Sequence, residues 1–167
     1  MSSVSAPGLT ALAREICASV PDPELPVVTI GDLGILRDVR VDPERRVEVV
    51  VTPTYSGCPA TEAIRHDIRE ALRHQGFSDV SVRTVLAPAW STDWITEAGR
   101  RKLAAAGIVP PSGRGSATGV VDLELGVRCP RCGSIDTRLV SRFGSTACQA
   151  MYRCVSCLEP FDRVKPH

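Results

Sequence analysis

Two cysteine pairs, Cys129-Pro-Arg-Cys132-Gly133 and Cys154-Val-Ser-Cys157, constrain this chain more than any other feature. Each pair is a tight turn that aims two sulfurs at one point, and two such turns supply the tetrahedral sulfur set that zinc accepts. The pairs are separated by 21 residues, a little beyond the roughly 15–20 of the common template, and one hairpin loop absorbs the difference. A unit of ~40 residues has too little core to fold unaided, so the metal supplies much of its stability. We therefore expect Cys129, Cys132, Cys154 and Cys157 to hold one structural zinc per chain. Sulfur ligands alone do not separate zinc from tetrahedral iron. The scarcity of aromatics in the tail, which would shelter a redox centre, favours zinc. Cys148, in Gly144-Ser-Thr-Ala-Cys-Gln149, reads as a thiol packed in a small core rather than a fifth ligand.

The chain has 167 residues, 43% of them hydrophobic, enough for one ordinary domain plus a small appendage. No apolar run approaches the ~20 residues that cross a bilayer, and the first eight residues lack the basic head and apolar stretch of a signal peptide. These features lead us to expect a cytoplasmic protein with no membrane partner. In that compartment seven cysteines point to metal or thiol chemistry instead of disulfides. Residues 129–167 carry six Arg/Lys against three Asp/Glu, far from the basic footprint of a nucleic-acid binder.

Leu9, Leu12, Ala13, Ile16, Cys17 and Val20 recur at helical spacing and stop at the Pro-rich run 21–26, with Cys17 on the core stripe. Residues 35–41 and 47–52 predict a hairpin across Asp42-Pro43-Glu44. Residues 60–75 predict a second helix, with Ile64, Ile68, Ala71 and Leu72 on one stripe, His66 and His74 on the polar face and Gly76 as the closing cap. Val80, Val82, Thr84 and Leu86 alternate as a third strand parallel to the second. Ser91, Thr92 or Asp93 can cap a third helix running to about Ala106. The expected class is α+β: a small two-layer domain over residues 1–107 with a three-stranded mixed sheet, a linker at 108–119, and a β-rich four-cysteine zinc ribbon at 120–167. Short strands are expected in the ribbon at 120–127, 135–140, 151–153 and 161–164.

Four features of the first domain occur together: Asp22-Pro-Glu-Leu-Pro26, Asp32-Leu-Gly-Ile35, Thr54-Tyr-Ser-Gly-Cys-Pro59 and Pro88-Ala-Trp-Ser-Thr-Asp-Trp94. In this order they resemble the metal-sulfur cluster assembly domain shared by SufT-like and MIP-type proteins. With the linker and the Cys-Pro-x-Cys-Gly tail, the whole chain resembles the family of D subunits, also labelled J, of bacterial phenylacetyl-CoA epoxidase systems. That resemblance implies a non-catalytic accessory subunit in aerobic phenylacetate catabolism. The partners it implies are the oxygenase and reductase subunits and the iron-sulfur assembly machinery, and its work is to assist iron-sulfur or di-iron centre assembly. A docking subunit between oxygenase and reductase is the alternative, and a homodimer stays open. The sequence has no Glu-x-x-His pairs for a di-iron site and no Gly-x-Gly-x-x-Gly for a nucleotide.

Within that domain Cys58 is the candidate for iron or sulfur transfer, holding a transient cluster or iron. Pro59 is favoured in the first helical turn, which predicts Cys58 at the N-cap, where the helix end favours a thiolate. Asp22, Glu24 and Asp32 lie in loops expected at the same sheet edge and could complete a metal site with it, or simply make turns beside Pro and Gly. Thr54 and Ser56 are candidates to bond the thiolate. Trp90 and Trp94 either pack the third helix on the sheet or mark a partner surface.

Overall fold

Alternating valines build the first sheet of the computed structural model, which describes residues 6–111 and 126–166. β1 (Leu36–Val41) and β2 (Val47–Val51) pair antiparallel, and β3 (Val80–Thr84) pairs parallel to β2, in the order β1-β2-β3. Val47, Val49 and Val51 face the core at 2%, 0% and 1% exposure. Burying a side chain of that size contributes roughly 1.5–3 kcal/mol. Two helices cover the sheet: α1 (Ala6–Ala18) packs on β1 and on α2 (Ala60–His74), which in turn packs on β3. The expected mixed three-stranded sheet with its helix layer is therefore present. Cys17 is wholly buried, as its place on the apolar stripe predicts, and burial pushes its thiol up to about 12.

The end of α2 shows how local chemistry sets a boundary. Gly76 takes φ +83°, its N–H donates to Arg73 O at 2.9 Å, and the Phe77 N–H donates to Leu72 O at 3.1 Å. This is the Schellman pattern, completed by the apolar pair Phe77 and Leu72, both fully buried. His66 and His74 are exposed, as their face predicts.

The loop between α1 and β1 is part of the core. Leu25, Val28, Ile30, Leu33 and Ile35 are each no more than 5% exposed. The loop closes through Asp22 N–H to Val28 O (3.0 Å) and Ile30 N–H to Val20 O (2.9 Å). Gly31 lets it return to the helix end, because a Cβ there would lie 2.7 Å from Ala18 O.

The third helix corrects the sequence reading. Instead of one helix capped near Ser91, a 3-10 turn (Thr92–Trp94) is capped by Ser91, the chain is extended at Ile95, and α3 (Glu97–Ala105) starts afresh. Thr96 caps α3, its Oγ1 accepting from Gly99 N–H at 3.0 Å. The break has a tertiary cause: Ile95 is buried and the Thr96 N–H donates to Asp32 O at 2.8 Å. Trp90 is 5% exposed with its Nε1 donating to Leu33 O at 2.8 Å, and Trp94 lies under the Arg37 guanidinium at 3.6 Å, so both tryptophans pack within this domain.

The chain divides into two compact units, Met1–Gly99 and Arg100–His167. In the second, β4 (Thr137–Ser141), β5 (Gln149–Cys154) and β6 (Pro160–Val164) form an antiparallel sheet in the order β4-β5-β6. Its core is Val127, Cys129, Ala150, Tyr152, Cys154 and Phe161, with the Tyr152 and Phe161 rings stacked at 5.9 Å. Val109, inside the expected linker, bridges to Arg163 and so runs beside β6. Residues 112–119 of that linker and nearly all of the strand expected at 120–127 lie outside the described residues.

Candidate metal centre and thiol site

The four-cysteine centre is assembled from two turns of the same design. In the first, Cys129 N–H donates to Ser134 O and Gly133 N–H to Cys129 O, both at 2.9 Å; in the second, Cys154 N–H donates to Glu159 O at 2.9 Å. The residue after each pair is left-handed, Gly133 at φ +74° and Leu158 at φ +64°. Glycine adopts this conformation freely, whereas Leu158 carries strain of about 1–2 kcal/mol. An ion pair between Arg131 and Glu159 and a 2.9 Å hydrogen bond between the Ser134 and Ser156 hydroxyls tie the turns together.

The four Sγ atoms lie within 4.8 Å of one another, with Cys129 to Cys157 at 3.7 Å and Cys132 to Cys154 at 3.5 Å. Four sulfurs at the ~2.3 Å zinc–sulfur distance on a tetrahedron are separated by about 3.8 Å. The donor set therefore fits a tetrahedral metal ion. Crowding drives two of the sulfurs apart in acidity. The backbone N–H of Cys157 leads in holding Cys154 down to about 6. At Cys157 the backbone N–H of Glu159 lowers the pKa, but burial and the neighbouring sulfurs outweigh it and push it up to about 12. A dication removes that competition by neutralising several thiolates at once. Cys148 is buried apart from this group, 3.0 Å from Thr146 Oγ1.

Cys58 stands at the strand-to-helix corner. Its N–H donates to Tyr55 O at 3.3 Å, closing a turn in which Gly57 takes φ +85°. The predicted N-cap assignment is corrected: Pro59 is the N-cap of α2, with φ −64° and no side-chain cap bond, and Cys58 precedes it. The predicted thiolate is corrected as well. Burial is the largest influence and raises the Cys58 pKa, with further raising from the Glu24 and Asp22 charges. The Ala60 N–H and a Tyr55 side-chain hydrogen bond pull the other way without prevailing. The helix end does contribute an N–H, yet desolvation wins.

The structure thus brings Asp22 and Glu24 into electrostatic reach of Cys58. Asp22 is 5% exposed, its Oδ1 accepting from Glu24 N–H (2.9 Å) and Leu25 N–H (2.8 Å), and burial raises its pKa. Glu24 is also raised, by burial and then by Asp22. Asp32 is engaged in another turn, its Oδ2 accepting from Thr29 N–H at 2.9 Å. Among the described residues, the ribbon cysteines are the one group of three or more Cys, His, Asp or Glu side chains placed to hold a metal ion. Tyr55, between the candidates Thr54 and Ser56, is the residue sequence reasoning missed, and its position in the turn that ends at Cys58 was the available signal.

Fold, site and family together define the class: an iron-sulfur-assembly type domain joined to a four-cysteine ribbon placed to hold a structural metal. A family model described as an iron-sulfur cluster assembly protein matches residues 13–84, and one described as the PaaD zinc beta ribbon domain matches residues 114–165. The candidate D subunit of the 1,2-phenylacetyl-CoA epoxidase of Escherichia coli (strain K12) is 51% identical over 150 residues, 90% of this chain and 88% of that protein. The chain belongs to that family of epoxidase D subunits. An Fe-S protein maturation auxiliary factor of Porphyromonas gingivalis is 34% identical over 80 residues, 47% of this chain and 75% of its own. A crystal structure of a domain of unknown function from Bacillus anthracis superposes with a TM-score of 0.55 at 26% identity, over 59% of this chain and 93% of that one. No described helix is long and apolar enough to cross a membrane.

Proposed function

We propose that this chain is a non-catalytic accessory subunit of a phenylacetyl-CoA epoxidase system and assists assembly of the iron-sulfur or di-iron centres of its oxygenase and reductase partners. The observation that carries this reading is the half-buried Cys58 thiol at the corner before α2, with Asp22 and Glu24 acting on it. Iron or a cluster fragment is the cargo. The carboxylates attract the cation, and Cys58 gives up its proton to solvent as sulfur bonds to iron. In the ribbon, Cys129, Cys132, Cys154 and Cys157 hold one zinc, which keeps the unit folded.

The test is Cys58→Ser. Because serine keeps a side-chain oxygen able to accept from the Ala60 N–H that bonds the Cys58 sulfur, the fold should lose well under ~1 kcal/mol. Cells carrying the variant should make normal levels of zinc-filled protein, yet grow poorly on phenylacetate with iron-deficient oxygenase or reductase. Full iron loading with normal growth refutes the role of Cys58, and Cys58→Ala serves if serine lowers the soluble level. The docking alternative separates cleanly. A docking subunit raises turnover of oxygenase and reductase that are already fully metallated, whereas an assembly factor adds nothing at that stage.

A further inference from the structure

The ribbon carries an open groove that the metal centre does not use. Leu139, Arg142, Phe143, Tyr152, Arg163 and Lys165 line a cavity of about 400 Å³. Strand register places Leu139 opposite Tyr152 and Ala150 opposite Arg163, so the floor continues the apolar core of the sheet. Its rim is unusually apolar for a surface: Leu139 is 47% exposed and Phe143 67%. Val140 (58%) and Ile135 (63%), in and just before the same strand, are exposed as well. Lys165 Nζ is held 4.5 Å over the Phe143 ring and donates to Ala147 O at 2.7 Å, which fixes its charge at the groove's edge.

Among the described residues, Arg142, Arg163 and Lys165 line it and no carboxylate does; Arg142 is exposed and Lys165 partly so, whereas Arg163 is buried at 8%. The acids of residues 126–166 are Asp136, Glu159 and Asp162; Glu159 pairs with Arg131, and Asp162 accepts from the Ser145 hydroxyl. An apolar floor under a cationic rim selects an occupant that is apolar at its centre and anionic around it. A second copy docking face to face would bring its Arg142 and Lys165 against these, which opposes self-association.

We propose that this groove docks an acidic segment of a partner protein, which seats one aromatic or branched aliphatic side chain on Leu139, Phe143 and Tyr152 and sets its carboxylates near Arg142 and Lys165. This surface goes beyond the metal-assembly reading and does not depend on Cys58.

The experiment uses the full zinc-loaded chain and a fluorescein-labelled peptide of Asp and Glu residues around one central Phe. Saturable binding is expected, with amide NMR shifts confined to residues 139–143, 150–152 and 163–165. The Arg142→Glu, Lys165→Glu double variant should weaken it by at least about tenfold. Phe143→Ala, at a mostly exposed position, should weaken it while zinc content stays the same. Absence of binding at millimolar peptide, equal affinity of the double variant, or equal affinity of a peptide with Gly for Phe would overturn the proposal. So would displacement of the peptide by phenylacetate at comparable concentration, which would make this a small-molecule site. Dimerisation lost on Phe143→Ala would assign the groove to a second copy instead.

Discussion

Gly34→Ala tests whether the motif loops of the first domain are positioned by backbone contact. Gly34 takes φ +69°, where an alanine costs ~1–2 kcal/mol. Its new Cβ would lie 2.5 Å from Trp94 O and 2.6 Å from Trp94 Cβ. Neither neighbour is the far end of a flexible side chain, so the 92–94 turn must move. That movement strains two buried contacts, Trp90 Nε1 to Leu33 O and Thr96 N–H to Asp32 O, both at 2.8 Å. Losing one such bond costs about 1–3 kcal/mol, and the smaller unfolded-state entropy of alanine returns only about 0.4–1 kcal/mol. The net expectation is a loss of about 2–4 kcal/mol, a large share of the 5–15 kcal/mol typical of a domain. Urea unfolding followed by tryptophan fluorescence is the assay, since both tryptophans of the chain sit in this segment. Gly57→Ala is the control: φ is +85° but no atom lies within 4 Å of the added Cβ, so only the conformational cost of ~1–2 kcal/mol applies. A loss below about 1 kcal/mol for Gly34→Ala, or one no larger than that of Gly57→Ala, would refute the close-approach argument.

Two further outcomes are expected. Removing metal with a strong chelator should collapse amide protection across β4, β5 and β6 and leave β1, β2 and β3 intact, as read by hydrogen exchange; retention of ribbon protection would show that its core suffices without metal. In the zinc-loaded chain Cys58 should be alkylated by iodoacetamide more slowly at pH 8 than a free cysteine, because its raised pKa leaves less thiolate, and Glu24→Gln should speed the reaction by removing one of the charges that raise it. Peptide-level mass spectrometry reads both rates, and an unchanged rate in Glu24→Gln would remove Glu24 from the site.

What could be read from the sequence depended on how local its cause was. The end of α2 is decided within six residues, Leu72 to Phe77, and the two cysteine turns within even fewer, so both were legible. The break before α3 was not, because it depends on Asp32 O accepting from Thr96 N–H across 64 positions of chain. The 19–35 segment looked like a loop because its prolines and aspartates signal turns, and only the closed structure shows Leu25, Val28 and Ile30 in the core. At Cys58 the local signal pointed the wrong way. Pro59 suggested a first helical turn and a favoured thiolate, but the proline itself took the cap position, and burial, a property of the whole domain, outweighed the helix end.

The corrected Cys58 environment suits the proposed role better than the predicted one. A resident thiolate with converging ligands would hold iron tightly, as the ribbon's four sulfurs within 4.8 Å are arranged to do for their metal. Cys58 offers one sulfur, and its raised pKa means that at neutral pH a proton competes with the cargo for it. Asp22 is occupied by two backbone N–H groups, so its charge can attract a cation while its turn bonds resist a strong inner contact. Attraction without encirclement is what a transfer site needs, because the cargo must leave for a partner with more ligands. On the proposed role, the same chain pairs a closed four-sulfur site suited to stability with a thiol suited to exchange. The contrast lies in ligand number: four sulfurs are placed to share one metal in the ribbon, whereas a single sulfur of raised pKa would meet the cargo beside α2.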